Sequence, residues 1–298
     1  MQRSIVKDRL EARAFMLRVY NVVGVAKTSV AAVSVVCFVA CCFAFGAPDG
    51  VLRAELVAPV LLACIAFQAV ALFLLSAAES KAAASAIAVL DKDCDPVSFA
   101  KDAARIRRHR PSVGPAYFLL LHAAAVSLAC LGRFEEAGSF FRRMEIEFLG
   151  ERNGAERIRE AAFLCDAARR LRDPDGLERY RSFLVGLLRD GRAGEDASRA
   201  RRLVEAADER ERLEAAGDAA GLVSLCEAQI ASLREWDVRE RVELEFARAE
   251  QLEALGDLAG ASEGYAYAVE RGGSLPCARE ARARLEGMAA QTARGGAS

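Results

Sequence analysis

Two long stretches without a charged side chain dominate the first third of the chain. Residues 28–47 form a stretch of 20 residues, and residues 56–78 form a stretch of 23 residues. A helix needs roughly 20 apolar residues to cross the ~30 Å hydrocarbon core of a bilayer, so each stretch is long enough. The short connection contains Pro48 and the pair Asp49–Gly50, which are turn formers. The sequence therefore predicts a two-helix transmembrane hairpin, and a pair of buried core helices is the alternative.

Positive charge flanks the predicted hairpin on the side of both termini. Residues 1–27 carry a net charge of +4, whereas the connection between the two stretches contains a single arginine, Arg53. Basic residues are retained on the cytoplasmic side of a membrane, so we expect a multi-pass protein of the inner (plasma) membrane with both termini in the cytoplasm. Within this segment, the apolar and basic residues of positions 3–20 also predict an amphipathic helix at the cytoplasmic interface.

A basic cluster follows the second stretch and has three interpretations. Its members, which we predict to lie at the membrane surface, are Arg105, Arg107, Arg108 and Arg110. The cluster is a topology signal, a site for anionic lipid head groups, or a contact for nucleic acid. The formal net charge of the whole chain is −1. Because this balance offers no general attraction for nucleic acid, we expect the lipid bilayer and not nucleic acid as a partner.

The remaining sequence has the periodicity of helices rather than strands. Apolar residues recur at spacings of three and four, and glycines separate the periodic segments. Asp95 followed by Pro96 predicts a capped helix start. The fold class is therefore all-α, with helices predicted over 96–108, 116–131, 155–171, 176–189, 197–215, 219–234, 238–255, 258–271 and 276–290.

A short pattern recurs among these helices. Residues 131–137 contain a turn glycine, a basic residue and a small alanine and lead to Phe141; residues 255–261 lead likewise to Tyr265, and a weaker copy covers 216–222. This pattern resembles the tetratricopeptide repeat (TPR), most specifically over 118–151 and 242–275. The resemblance implies a TPR-like α-solenoid of antiparallel helix pairs.

The resemblance also implies which residues face a ligand. The ligand-facing positions of a TPR lie on the first helix of each repeat, and here they include Glu243, Phe246, Glu250, Glu253 and His122. Three glutamates around a phenylalanine imply a partner segment that is basic and partly apolar. The alternative is that this face is simply solvated.

One further segment has two interpretations. Residues 116–131 are uncharged and form either a third membrane span or the buried first helix of a repeat. The segment is short for a bilayer, and the repeat pattern at Gly132 requires a helix before it, so we expect the buried helix.

Motifs of catalysis and cofactor binding are missing from the sequence. The chain has only two histidines, and its nine cysteines include no Cys-x-x-Cys pair, so neither a zinc site nor a disulfide framework is predicted. The acidic run at Asp91, Asp93 and Asp95 lacks the glycine that a calcium loop requires, because Pro96 stands in its place. We therefore expect that the protein is not an enzyme and that it binds no cofactor and no metal ion.

These observations divide the chain into five predicted segments: a cytoplasmic amphipathic segment 1–27, the hairpin 28–78, a basic juxtamembrane linker 79–114, the repeat domain 115–290 and a disordered tail 291–298. The excess of arginine over lysine and the many alanines favour a bacterial source. We expect a membrane-anchored, non-catalytic adaptor or scaffold that binds a protein or peptide partner. The alternative is an accessory subunit of a membrane transport or envelope-assembly complex, in which the hairpin packs against other membrane helices.

Overall fold

A computed structural model describes residues 2–44, 54–106, 115–148, 154–189 and 195–295. These residues form twelve α-helices and no β-strand, which confirms the predicted all-α fold class. The helices are α1 Gln2–Ala44, α2 Ala54–Asp91, α3 Pro96–Ala103, α4 Pro115–Cys130, α5 Phe134–Phe148, α6 Gly154–Leu171, α7 Pro174–Arg189, α8 Glu195–Ala216, α9 Ala219–Ser232, α10 Val238–Ala254, α11 Leu258–Arg271 and α12 Pro276–Gly295.

Several helix ends differ from the predicted ones. Helix α1 runs without interruption through segment 1–27 into the first apolar stretch, because no proline separates them and the one glycine of the segment, Gly24, lies within the helix. Helix α2 continues beyond residue 78 to Asp91 through an alanine-rich sequence. Helix α12 reaches Gly295, so most of the predicted tail continues a helix. The helix predicted over 96–108 is wrong at its end: α3 stops at Ala103, and a turn follows it.

The chain divides into two compact units. Unit 1 comprises residues 1–86 and 105–117, and unit 2 comprises residues 87–104 and 118–298. In unit 1, no side chain described between residues 28 and 40 or between residues 58 and 78 is buried. Two helical segments of the chain, Met16–Ala40 and Leu61–Asp91, are long and apolar enough to span a membrane, and the last five residues of the second segment belong to unit 2. The turn predicted at Pro48–Gly50 lies outside the described residues.

Four equivalent turns organise unit 2. Each turn contains one residue with positive φ, and the next residue donates its N–H to a carbonyl in the last turn of the preceding helix, as Asp257 does to Leu252. The turns recur at intervals of about 40 residues, which is longer than the 34 residues of a TPR. They join α4 to α5, α6 to α7, α8 to α9 and α10 to α11, with the positive φ at Gly132, Arg172, Gly217 and Gly256.

The second helix of each pair begins with a local cap. Asp173, Asp218 and Asp257 each accept a hydrogen bond from the backbone N–H three residues later, at 2.8–3.0 Å. The first pair has a basic residue, Arg133, in place of the aspartate, and its guanidinium donates two hydrogen bonds to the Glu136 carboxylate. The turn at Arg172 shows that the α6–α7 connection adopts the same geometry without a turn glycine.

Small residues let the last helix pair pack closely. Ala249 of α10 and Ala261 of α11 are fully buried, and a Cβ added at Gly264 would lie 2.9 Å from the Ala249 Cβ. Tyr265 is also fully buried, in the same cluster. The small alanine and the aromatic residue of the recurring pattern at 255–265 are therefore both core residues of this helix pair. Helix α4 is buried along almost its whole length, which favours the core-helix interpretation of residues 116–131 over a third span.

The beginning and the end of unit 2 are hydrogen-bonded to each other. The Ser274 N–H donates to the Cys94 carbonyl at 3.0 Å, and the Ser274 hydroxyl donates to the Asp95 carboxylate at 3.0 Å. Arg239, at the start of α10, donates to Asp91 at 3.0 Å. Residues 91–95 are thus fixed against the C-terminal helices.

Candidate functional site

A buried ion pair lies at the base of the hairpin in unit 1. The Lys27 ammonium donates to the Glu79 carboxylate, and each side chain is only 4% exposed. Lys27 is the last charged residue before the first apolar stretch, and Glu79 is the first one after the second stretch. Two antiparallel helices place these positions at the same level, so the pattern of charges could have predicted the pair.

The surroundings of this pair explain why both charges are retained. Leu17, Tyr20 and Ala83 are buried in the same unit, and the small Ala82 and Ala86 let the helices approach. A buried charge is costly unless it is paired, because it loses its hydration. The pair therefore allows the base of the hairpin to pack as a neutral unit.

Exposed apolar side chains surround the rest of the hairpin. They project in many directions from both helices, in contrast to the single buried stripe of a soluble amphipathic helix. An exposed apolar surface of this extent marks a contact with a membrane or with another protein. These side chains include Val33, Val36, Phe38, Phe43, Leu62, Ile65, Phe67, Val70, Phe73 and Leu74.

One residue of the predicted membrane-surface cluster lies beside α1. The Asn21 side-chain amide donates to the carbonyl of Arg105 at 3.0 Å, and both residues belong to unit 1. Arg105 itself is exposed. The other three residues of the predicted cluster, Arg107, Arg108 and Arg110, lie outside the described residues.

A second cluster of charges lies in unit 2 and joins helices that are distant in sequence. Arg170 of α6 donates to both carboxylate oxygens of Glu243 of α10, at 3.0 and 2.8 Å. Its Nε lies 3.1 Å from each carboxylate oxygen of Asp166. Arg239 donates to Glu243 at 3.4 Å and to Asp91 at 3.0 Å. We call these five residues the ion cluster.

His122 of α4 extends the ion cluster. Its Nε2 lies 3.1 Å from the Asp166 carboxylate, and its ring stacks on Phe163 at a centroid distance of 4.5 Å. An ionised carboxylate only accepts hydrogen bonds, so the Nε2 of His122 carries the proton. His122, predicted as a partner contact, therefore holds a carboxylate within the protein.

The electrostatics of the ion cluster follow from its composition. Burial alone would raise the pKa of Asp166, but Arg170 and His122 hold that pKa well below its usual range. Burial likewise opposes ionisation of Glu243, and Arg170 and Arg239 lower its pKa. Both carboxylates are consequently ionised and neutralised by arginines at neutral pH.

The other residues predicted as partner contacts also have partners within unit 2. Phe246 is buried against Tyr265, with ring centroids 5.6 Å apart. Glu253 accepts a hydrogen bond from the Tyr265 hydroxyl at 2.7 Å and lies 3.4 Å from Arg284. Glu250 lies 4.0 Å from the same arginine. The structure therefore brings His122 and Glu243 into one cluster and does not combine the predicted residues into a free acidic surface.

Three cysteines lie close to the ion cluster. Burial is the main influence on each thiol, and it raises the pKa of Cys94 and of Cys277 to about 12 and that of Cys130 above its usual value. These thiols are protonated at neutral pH and pack as small apolar groups. Within the part of the chain that the structure describes, no group of His, Cys, Asp and Glu side chains is arranged to hold a metal ion.

Comparison with known proteins adds no assignment: no protein family, no curated protein and no solved structure matches the chain. The fold and the two sites define an all-helical protein with two helices long and apolar enough to span a membrane. Its function has to be inferred from its own residues.

Proposed function

We propose that the protein is a non-catalytic adaptor, anchored in a bacterial inner membrane by the α1–α2 hairpin, with both termini in the cytoplasm. Its helical unit 2, a TPR-like solenoid of helix pairs, binds a protein or peptide partner at the membrane face. The observation that carries the proposal is the contrast within unit 1. The base of the hairpin is packed around Lys27 and Glu79, whereas no described side chain of the apolar stretches beyond it is buried.

The charge distribution supports the orientation. Residues 1–27, which precede the first apolar stretch, carry a net charge of +4. Arg105 lies beside α1 at the same end of the hairpin. The four equivalent turns of unit 2 support a repeat architecture, since stacked helix pairs commonly present a surface to another protein.

The alternative function is an accessory subunit of a transport or envelope-assembly complex. It is favoured by the lack of burial along both apolar stretches, because membrane helices of another protein could cover them as well as lipid. The two functions differ in which unit contacts the partner.

Site-specific photo-crosslinking of the full chain in membranes tests both. A photo-reactive residue is placed at Phe67 in the hairpin, or at Phe134 or Trp236 in unit 2; all three positions are exposed. The adaptor predicts protein adducts from the two unit 2 positions and only lipid adducts from Phe67. Protein adducts from Phe67 alone would favour the accessory subunit, and no protein adduct from any position would contradict both.

A further inference from the structure

The chain has a single tryptophan, and it is exposed. Trp236 lies in the turn between α9 and α10, and 53% of its surface is accessible. The guanidinium of Arg234 lies over its ring, 5.7 Å from the centroid. Tryptophan and arginine are the residues most enriched at the energetic centres of protein interfaces. An exposed tryptophan backed by arginine therefore marks this turn as a contact surface.

A groove of about 100 Å³ begins at the same turn. Helix α8 forms one wall with Arg199, Arg202 and Leu203, and Leu233, directly after the end of α9, forms part of the other wall. Leu203 is an apolar side chain left 43% exposed in this wall. The groove thus combines apolar and cationic groups on one face of unit 2.

The cationic groups of the groove are only partly neutralised. Arg199 has Glu240 as its nearest carboxylate, at 3.9 Å, and Arg202 makes no hydrogen bond or ion pair with any residue that the structure describes. The other carboxylate of the groove, Asp237, accepts a hydrogen bond from the Arg234 backbone N–H at 3.2 Å. The guanidinium of Arg202 is therefore uncompensated by any carboxylate in the described part of the chain.

We propose that this groove, together with Trp236, is the docking site for an acidic, partly apolar peptide segment of the partner protein. Carboxylates of the segment pair with Arg202 and Arg199, and an apolar side chain packs between Leu203 and Trp236. The proposal rests on the proposed adaptor function and gives the partner a charge opposite to the one expected from the first-helix glutamates. The free charge lies here, whereas Glu243 is already paired with two arginines.

The single tryptophan provides the test, because Trp236 lies in the turn that contributes Arg234 and Asp237 to the groove. The full chain in detergent micelles is titrated with a 12-residue peptide in which glutamate pairs alternate with single leucines. A matched peptide carries lysine in place of glutamate. We expect a saturable change in Trp236 emission with the glutamate peptide only, weakened by added salt because the arginines are exposed.

Two variants, each of which replaces one arginine with glutamate, make the test specific to the groove. Arg202→Glu should weaken binding of the glutamate peptide at least tenfold. Arg282→Glu, at an exposed position of α12, should leave the binding unchanged. The proposal is overturned if the lysine peptide binds equally well, if Arg202→Glu and Arg282→Glu have the same effect, or if only vesicles of anionic lipid change the emission.

Crosslinking in membranes separates this proposal from the proposed function. If Arg202→Glu captures the partner as well as the unmodified chain does, the groove is not the docking site, but the adaptor function stands. If the unmodified chain captures no protein partner at all, the adaptor function is wrong and the groove assignment is wrong with it.

Discussion

Lys27 and Glu79 are 52 positions apart in sequence, yet their side chains are hydrogen-bonded to each other and each is only 4% exposed. The pair lies at the boundary between the base of the hairpin, where side chains are buried, and the apolar stretches, where the described side chains are not buried. If either partner is lost, the other becomes a buried and uncompensated charge. The pair therefore determines how the two long helices are registered against each other.

Replacing one partner should destabilise the hairpin strongly. Removal of one member of a buried ion pair costs about 3–5 kcal/mol, so Lys27→Met should lower the unfolding temperature in detergent micelles and expose α1 to proteolysis. The double variant Lys27→Met/Glu79→Met should recover most of the loss, because no charge remains buried. Lys81→Met, at an exposed position of α2, is the control. If the double variant is no more stable than the single one, the pair does not hold the hairpin.

The ion cluster of unit 2 predicts different effects for two neighbouring arginines. Arg170 is 16% exposed and joins α6 to α10, whereas Arg169 is 61% exposed and, among the residues that the structure describes, pairs only with Asp166. Arg170→Met should lower the free energy of unfolding by about 2–3 kcal/mol, and Arg169→Met by less than about 0.5 kcal/mol. Chemical denaturation monitored by circular dichroism measures both. Equal losses would show that the contact between α6 and α10 adds no stability.

The same cluster predicts how stability depends on pH. Because the pKa of Asp166 is lower in the folded protein than in the unfolded chain, its contribution is present above about pH 4 and is lost as the pH falls through the folded value. The difference in unfolding free energy between the unmodified protein and Asp166→Asn should therefore be constant above about pH 5 and narrow as the pH falls below about 4. Glu263→Gln, on an exposed part of α11, should show no such trend. A difference that is constant with pH would contradict the pairing of Asp166.

Two glycines should respond to alanine with opposite signs. Gly273 has a φ of +52°, and a Cβ there would lie 2.7 Å from the carbonyl oxygens of Asp93 and Cys94. Gly273→Ala should cost more than about 2 kcal/mol, because it strains the contact between the two ends of unit 2. Gly287 lies within α12 with open space around it, so Gly287→Ala should gain up to about 1 kcal/mol. The unfolding temperatures of the two variants are compared with that of the unmodified protein. Equal changes would mean that Gly273 does not pack against the carbonyl oxygens of Asp93 and Cys94.

The helices of unit 2 were predictable because the sequence marks their ends locally. The Gly–Asp turns at 217–218 and 256–257 contain both the residue with positive φ and the cap, and α11 has the predicted bounds. The turn at Arg172 carries the same cap on Asp173 but no glycine, so its sequence resembles the others less closely. Local chemistry therefore predicts where helices begin and end.

The side-chain partners could not be predicted in the same way. Glu243 occupies a position that a repeat alignment assigns to a ligand, but Arg170, which lies 73 positions earlier, reaches it in the folded protein. Glu253 is held by Tyr265 and Arg284 from two other helices. Such pairs depend on how the helices stack, and the periodicity of a single helix carries no information about the residues that face it.

Two native cysteines allow the most direct test of the membrane hairpin. Cys37 and Cys64 lie in the two apolar stretches, and both are exposed in the protein. Protection of these thiols in membranes must therefore come from the bilayer or from other membrane helices. Variants that retain only Cys37 or only Cys64 are treated in membranes with a membrane-impermeant maleimide, with a cysteine placed at the exposed Ser224 of α9 as the control.

We predict that neither Cys37 nor Cys64 is labelled in membranes, that both are labelled after the membranes are dissolved in detergent, and that the Ser224→Cys control is labelled under both conditions. Labelling of Cys37 and Cys64 in intact membranes at the rate of the control would contradict the proposed membrane hairpin.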